Sequence, residues 1–371
     1  MSMAAMRMHA SADSAGLCRY MAVIYWLGRL EARKKTGRFS SDPSRHPTMN
    51  RRNPRVTSRL LARRATALKR HVSEAVNGRP RGVHQARVAS RRLREAVPVL
   101  TSGVKGTKAK KAHGKIRRLT KALGTVRELD VTLQVLDELS SKDSLPRPAL
   151  EEVRAHVVLE RDERRAEMLD RIEHVNLEKL DRRLASVVES IAASDSEDWR
   201  DALGSRLMKR SKFLAAAISD AGHVYSPEQL HQVRIAAKKL RYAMELALDT
   251  GVKSAAAPLR LVKNAQDTLG KLHDLQVLQT HVAVVQAEPK VRTLPDGGLD
   301  ILARALEDQC RHLHARYVAS IPKLNDVLEA TRSVIVPQLA QRGSSGSRAL
   351  KMTLKSRTPV RRAVAASGAG R

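Results

Sequence analysis

Residues 83–96 read Val-His-Gln-Ala-Arg-Val-Ala-Ser-Arg-Arg-Leu-Arg-Glu-Ala, and their spacing decides the fold. At ~100° per residue, His84, Arg87, Arg91 and Arg94 fall on one helical stripe roughly 80° wide. Ala86, Ala89, Leu93, Ala96, Val97 and Leu100 fall opposite, between about 120° and 220°. The segment is an amphipathic helix with an apolar face for a core and a cationic face for something else. Like charges at i, i+3, i+4 and i+7 repel, so the stripe costs stability unless an anion neutralises it.

The pattern returns. Leu230-His-Gln-Val-Arg-Ile-Ala-Ala-Lys-Lys-Leu-Arg-Tyr-Ala repeats the block at an offset of 147. Its stripe is His231, Arg234, Lys238 and Arg241, backed by Val233, Ala236, Leu240, Ala243, Met244 and Ala247. Ser226-Pro227-Glu228-Gln229 opens this helix with a capping-box pattern. Downstream, Leu123-Gly-Thr-Val-Arg-Glu-Leu-Asp-Val matches Leu269-Gly-Lys-Leu-His-Asp-Leu-Gln-Val at an offset of 146. Two blocks in one order at nearly one offset mark a duplicated helical unit. A single basic helix face is ordinarily just solvated. The same stripe twice, each opened by a histidine, favours anion binding, although each histidine alone could equally be a packing residue.

Working outward, apolar residues recur at helical spacing from about Val56, and the first helix stops at Asn77-Gly78 before Pro80. Further helices are predicted over about 83–100, 115–140, 149–172, 177–192, 198–221, 227–249, 254–287 and 299–331. Pro98 is expected to bend the second, and a loop is predicted over 102–114. No segment alternates with period two, so the fold class is all-α. Aromatics are only 2% of the 371 residues, which suits helices packed through small aliphatic side chains.

The net charge is +31. Residues 1–55 carry eleven Lys/Arg against three Asp/Glu, and 342–371 carry eight against none. These ends hold +16, leaving +15 on residues 56–341, a surplus that points to polyanionic partners. The ends read as disordered basic tails able to bind nucleic acid weakly and without specificity. The division expected is a 1–54 extension, helical repeats over 55–195 and 196–341, and a 342–371 tail. Translation starting at Met49 is one account of the extension. Cys18 and Cys310 lack metal spacing, so no disulfide framework, metal or cofactor is expected, and a cytoplasmic location is the default. The apolar piece Met21–Gly28 is too short to span a membrane and lacks a signal-peptide context.

The paired HxxRVxxRRLR and HxxRIAxKKLRY blocks, each followed by its LG-containing block, resemble the CHAD family, the conserved histidine α-helical domain. The resemblance covers about residues 55–340. It implies two four-helix bundles related by a pseudo-twofold axis, inorganic polyphosphate bound in a basic channel near that axis, and association with polyphosphate granules. By position it assigns binding to His84, Arg87, Arg91, Arg92, Arg94, His231, Arg234, Lys238, Lys239 and Arg241, with Arg127 as a further candidate. His273-Asp274 in the second copy departs from Arg127-Glu128 in the first, which weakens the basic position there. Arg127 reads equally well as a salt-bridge partner.

The stripes suit a linear polyphosphate because arginine forks onto phosphate oxygens and lysine adds point charge. His84 and His231 would titrate near neutrality, so binding is expected to tighten at mildly acid pH. The alternative is a nucleic-acid-binding protein, favoured by the charge but without stacking platforms or a recognised reading motif. An enzyme is not expected: there is no Walker loop or clustered acidic metal site, and the acids of 160–167 (ERDERRAE) alternate with arginines as on a solvated face.

Overall fold

The computed structural model describes residues 56–79, 81–141, 144–194, 196–288 and 297–341. The expected tails and the Met49 start lie outside them. All regular structure among the described residues is helical: α1 (Val56–Val76), α2 (Gly82–Leu100), α3 (Lys108–Ala122), α4 (Gly124–Ser140), α5 (Arg147–Glu173), α6 (Leu177–Ala193), α7 (Trp199–Ala221), α8 (Pro227–Asp249), α9 (Ala256–Ala287), α10 (Gly298–Val318) and α11 (Ile321–Ala330). A short 3₁₀ turn precedes α9, and a π-turn at Thr331–Ile335 follows α11. None of these helices is long and apolar enough to cross a membrane.

The periodicity places most helices, and local chemistry explains where it misses. The predicted loop over 102–114 ends at Thr107, because Lys108–Lys111 are good helix formers that extend α3 backwards. The predicted 115–140 helix is two helices broken at Leu123, directly before Gly124. The predicted 299–331 helix breaks at Ala319–Ser320, where Pro322 takes the first turn of α11. Ser226 precedes Pro227 as expected, but its side chain makes no cap hydrogen bond.

Pro98 does not end α2, which runs on to Leu100. A proline has no N–H, so the Arg94 carbonyl loses its helical donor. The His113 ring of α3 lies close to the Arg94 backbone.

Three sets of helices share one continuous core from Leu60 to Leu339. In the first, α1 and α3 each pack on α2 and α6. In the second, α7 and α9 each pack on α8 and α11. The third joins α4 and α5 to α9 and α10. The 32 residues of α9 give it about 48 Å of length, enough to serve in two sets. The α1–α2 turn is close: a Cβ on Gly82 would lie 2.5 Å from the backbone of Glu74 and Ala75.

The helix pair that matters for function is α2 against α8. The two helices pack on one another, and the alanines read from the sequence as their apolar faces, Ala86, Ala89 and Ala96 in α2 and Ala236, Ala243 and Ala247 in α8, are buried. Buried Arg64 of α1 ties them together, donating to the Arg92 carbonyl at 2.9 Å and to Asp249 at 2.7 Å.

Candidate functional site

Four cationic side chains of the two stripes lie near one another where α2 packs on α8: Arg87 and Arg91 from α2, and Arg234 and Lys238 from α8. All four are half-buried.

Their proximity is visible in their acid–base behaviour. Burial, then Arg234, Arg91 and Arg87, push the Lys238 ammonium down from its ordinary value to about 6. Burial and Arg91 push Arg87 down to about 10, with Arg234 contributing. Arg234 is lowered by burial and by Arg91, although Asp274 holds it up. Charges of one sign have been brought together out of water, which is unfavourable until an anion joins them.

Two acids lie among the cations at matching repeat positions, Glu128 in α4 and Asp274 in α9. Arg234 reaches Asp274 at 3.7 Å, and burial raises the Asp274 carboxyl despite Arg234, Lys238 and Arg127 nearby. Yet the buried Nε of Arg234 has no hydrogen-bond partner within the protein, so a donor is left over. Arg87 is held differently. Its Nη1 sits 2.7 Å from where a Cβ on Gly124 would be, and it reaches the Thr120 carbonyl at only 3.5 Å. The absence of a Cβ at Gly124 thus leaves room for a guanidinium.

The histidines flank this quartet. His84 is exposed and lies beside Arg127, and burial, then Arg127 and Arg87, lower it. Arg127 has Asp130 and Asp274 as its nearest acids, and burial outweighs them. His231 meets His273, Nδ1 to Nδ1 at 3.4 Å. Burial, Arg234, His231 and Lys238 press His273 down to about 3. His231 is lowered too, chiefly by burial. Burial and the neighbouring cations disfavour the protonated form of both stripe histidines, which works against the acid tightening expected from them.

The remaining stripe residues are engaged elsewhere. Buried Glu245 accepts from Arg92 at 2.9 Å and sits 3.5 Å from Arg241. Arg241 also lies over the Tyr242 ring at 4.9 Å. Lys239 lies 5.1 Å from the Phe213 ring, and Arg94 neighbours Arg210 and His113. The sequence reading missed Arg206 and Arg210 of α7, which hold buried Glu95 at 3.6 and 3.5 Å. Running the 147-residue offset upstream would have found one of them, since it pairs Arg210 with Arg63, itself 3.5 Å from Asp249.

The ERDERRAE acids do pair with arginines as their spacing implied, Arg164 with Glu160 and Glu167 at 3.5 and 3.1 Å. Arg161 instead leaves its helix to hold Asp130 of α4 at 2.9 Å.

A family model described as the CHAD domain matches residues 59–283. Among solved structures, the chain is similar to the CHAD domain from the plant Ricinus communis, with 21% identity, a TM-score of 0.49, and coverage of 75% of this chain and 91% of that one. It is also similar to PptA from Streptomyces chartreusis, with 16% identity, a TM-score of 0.47, and coverage of 74% and 98%. No curated protein matches.

Proposed function

The chain belongs to the CHAD domain family, and from that premise we propose that it binds inorganic polyphosphate, without catalysis, in the groove between α2 and α8. The observation that carries the reading is the meeting of Arg87, Arg91, Arg234 and Lys238 across the two helices, with Lys238 held near 6. A polyphosphate chain repeats one charge at short intervals, so a row of convergent cations suits it better than a shaped pocket. Each phosphate entering the groove relieves repulsion already built into the fold. Arginine can grip two oxygens at once, and the spare Nε of Arg234 gives one such donor.

On this reading the two helical repeats, 55–195 and 196–341, are copies related by a pseudo-twofold axis near the α2–α8 contact. His84 with Arg127 then corresponds to His231 with His273, and Glu128 to Asp274. Lys239 and Arg94 extend the cationic track towards Arg210. Arg92 and Arg241 hold the groove's shape through Glu245 and contribute charge at its edge. Polyphosphate granules in the cytoplasm are the expected setting, with nucleic acid a weak competitor.

The test is calorimetric titration with polyphosphate of defined lengths at physiological salt. Replacing Arg87 and Arg234 together by alanine is expected to cut affinity roughly 100-fold, from the loss of two charge-assisted hydrogen bonds. Deleting 342–371 should cost much less. A larger loss from the tail deletion overturns the groove, and DNA displacing polyphosphate readily favours the nucleic-acid reading. Release of orthophosphate on incubation with Mg²⁺ would overturn the non-catalytic role.

A further inference from the structure

Away from the stripes, α5 and α9 bring together three side chains with metal-ligand chemistry. His156 and Glu160 stand one turn apart on α5, so they share a face. The packing of α5 on α9 sets His281 opposite them. One potential ligand atom from each lies within 4.8 Å of the other two, and all three residues are at least half-buried.

Their orientations agree. Glu160 Oε2 is 3.7 Å from His281 Nδ1, while Arg164 holds the other carboxylate oxygen at 3.5 Å and points Oε2 inward. The imidazoles are 5.8 Å apart and tilted by 58°, so they are not stacked and can aim nitrogens at a common point. Glu288, which caps α9, brings a second carboxylate to 3.6 Å from His156 Nδ1.

We infer that His156, Glu160 and His281 form a binding site for a divalent transition-metal ion of the zinc class, with Glu288 standing beside His156 rather than within the cluster. Two imidazoles with carboxylates match the donor set of zinc, cobalt or nickel, whereas magnesium and calcium prefer oxygen alone. In tetrahedral coordination at 2.0–2.2 Å, ligand atoms lie about 3.4 Å apart. With ligand atoms within 4.8 Å of one another, the cluster would tighten by up to about 1.4 Å on binding. An ion there would clamp α5, from the first repeat, to α9, from the second. The site does not depend on the polyphosphate reading. It does border the groove, because Glu128 lines the same pocket as Glu160 and His281 and also faces Arg87 and Arg234.

The experiment uses the full chain after chelator treatment. Zn²⁺ is titrated calorimetrically, Co²⁺ binding is followed by its visible absorption, and thermal unfolding is recorded with and without Zn²⁺. The expected result is one high-affinity ion per chain, a Co²⁺ band, and a rise in Tm with zinc. Glu160→Gln and His281→Ala should weaken zinc binding at least about tenfold and abolish the Tm rise. A His84→Ala/His231→Ala variant, altered only in the groove, should keep both. Should His281→Ala fail to fold, the near-isosteric Glu160→Gln decides. Zinc binding unchanged in Glu160→Gln, or loss of the ion in the groove variant instead, overturns the site.

Discussion

Where α2 places Arg91, α8 places Lys238, and where α4 offers Arg127, α9 offers His273. A guanidinium keeps its charge at any physiological pH, while an ammonium or imidazole surrounded by cations gives it up. On the proposed reading, the two copies of one motif give the groove a fixed cationic wall and an adjustable one. Burial and neighbouring cations bring Lys238 to about 6 and His273 to about 3. The ordinary lysine value is 10.5. Between about 6 and 10.5 the unfolded chain carries a proton on Lys238 that the folded chain lacks. This group's contribution to stability is therefore full above the upper value and is lost as pH falls through the window. A bound polyanion reverses the preference by favouring the protonated lysine, so binding should take up a proton.

Seven substitutions test the difference between the two walls and how each is braced. The largest effect is expected from Glu245→Ala, which strands Arg92 and Arg241. Because Arg92 is about half exposed and Arg241 only partly buried, the loss is expected to be about 1–3 kcal/mol, readable in urea unfolding. Glu95→Ala, whose arginines stand farther off, should cost less, and equal losses would say that the two copies are braced alike. Next come the single changes at the groove. Arg87→Ala should lower polyphosphate affinity by more than about tenfold. Arg234→Ala should lower it less, because Asp274 already offsets part of its charge; a larger loss from Arg234 would reverse the ranking of the walls.

A smaller effect tests the adjustable wall itself. Polyphosphate affinity should rise severalfold as pH falls from about 8 to about 6, and Lys238→Arg should flatten that slope while raising affinity at the upper end. A slope that survives in Lys238→Arg would put the titration elsewhere. The smallest effect is expected at the paired glycines. Gly124→Ala would push the Arg87 guanidinium aside and weaken binding a few-fold, whereas Gly270→Ala has open space and should leave it unchanged.

Much of this was legible in the sequence because a helix prints its faces at fixed spacing. The stripe residues, the apolar faces behind them and the duplication all follow from positions that can be counted. The charge surplus on 56–341 showed which kind of ligand to look for. The misses share a cause. The space beside Gly124, at the break, is taken by Arg87, 37 residues earlier. Pro98 stays inside its helix, and the residue near the carbonyl it strands, His113, comes from another helix. Glu160 sits in what reads as a solvated charge run, yet it meets His281 across a helix interface. In each case the deciding partner lies on another element, at a sequence distance no period encodes.

The sequence by itself determined that this chain is helical, that its motif helix occurs twice, and that each copy turns a cationic stripe away from an apolar face. Tertiary structure decided that the stripes meet, which cations remain available and which Glu245 holds, and that one wall can lose charge. The physical reason is that periodicity is a property of one helix. Burial, and the repulsion that brings Lys238 to about 6, arise only when a second helix removes water from the first.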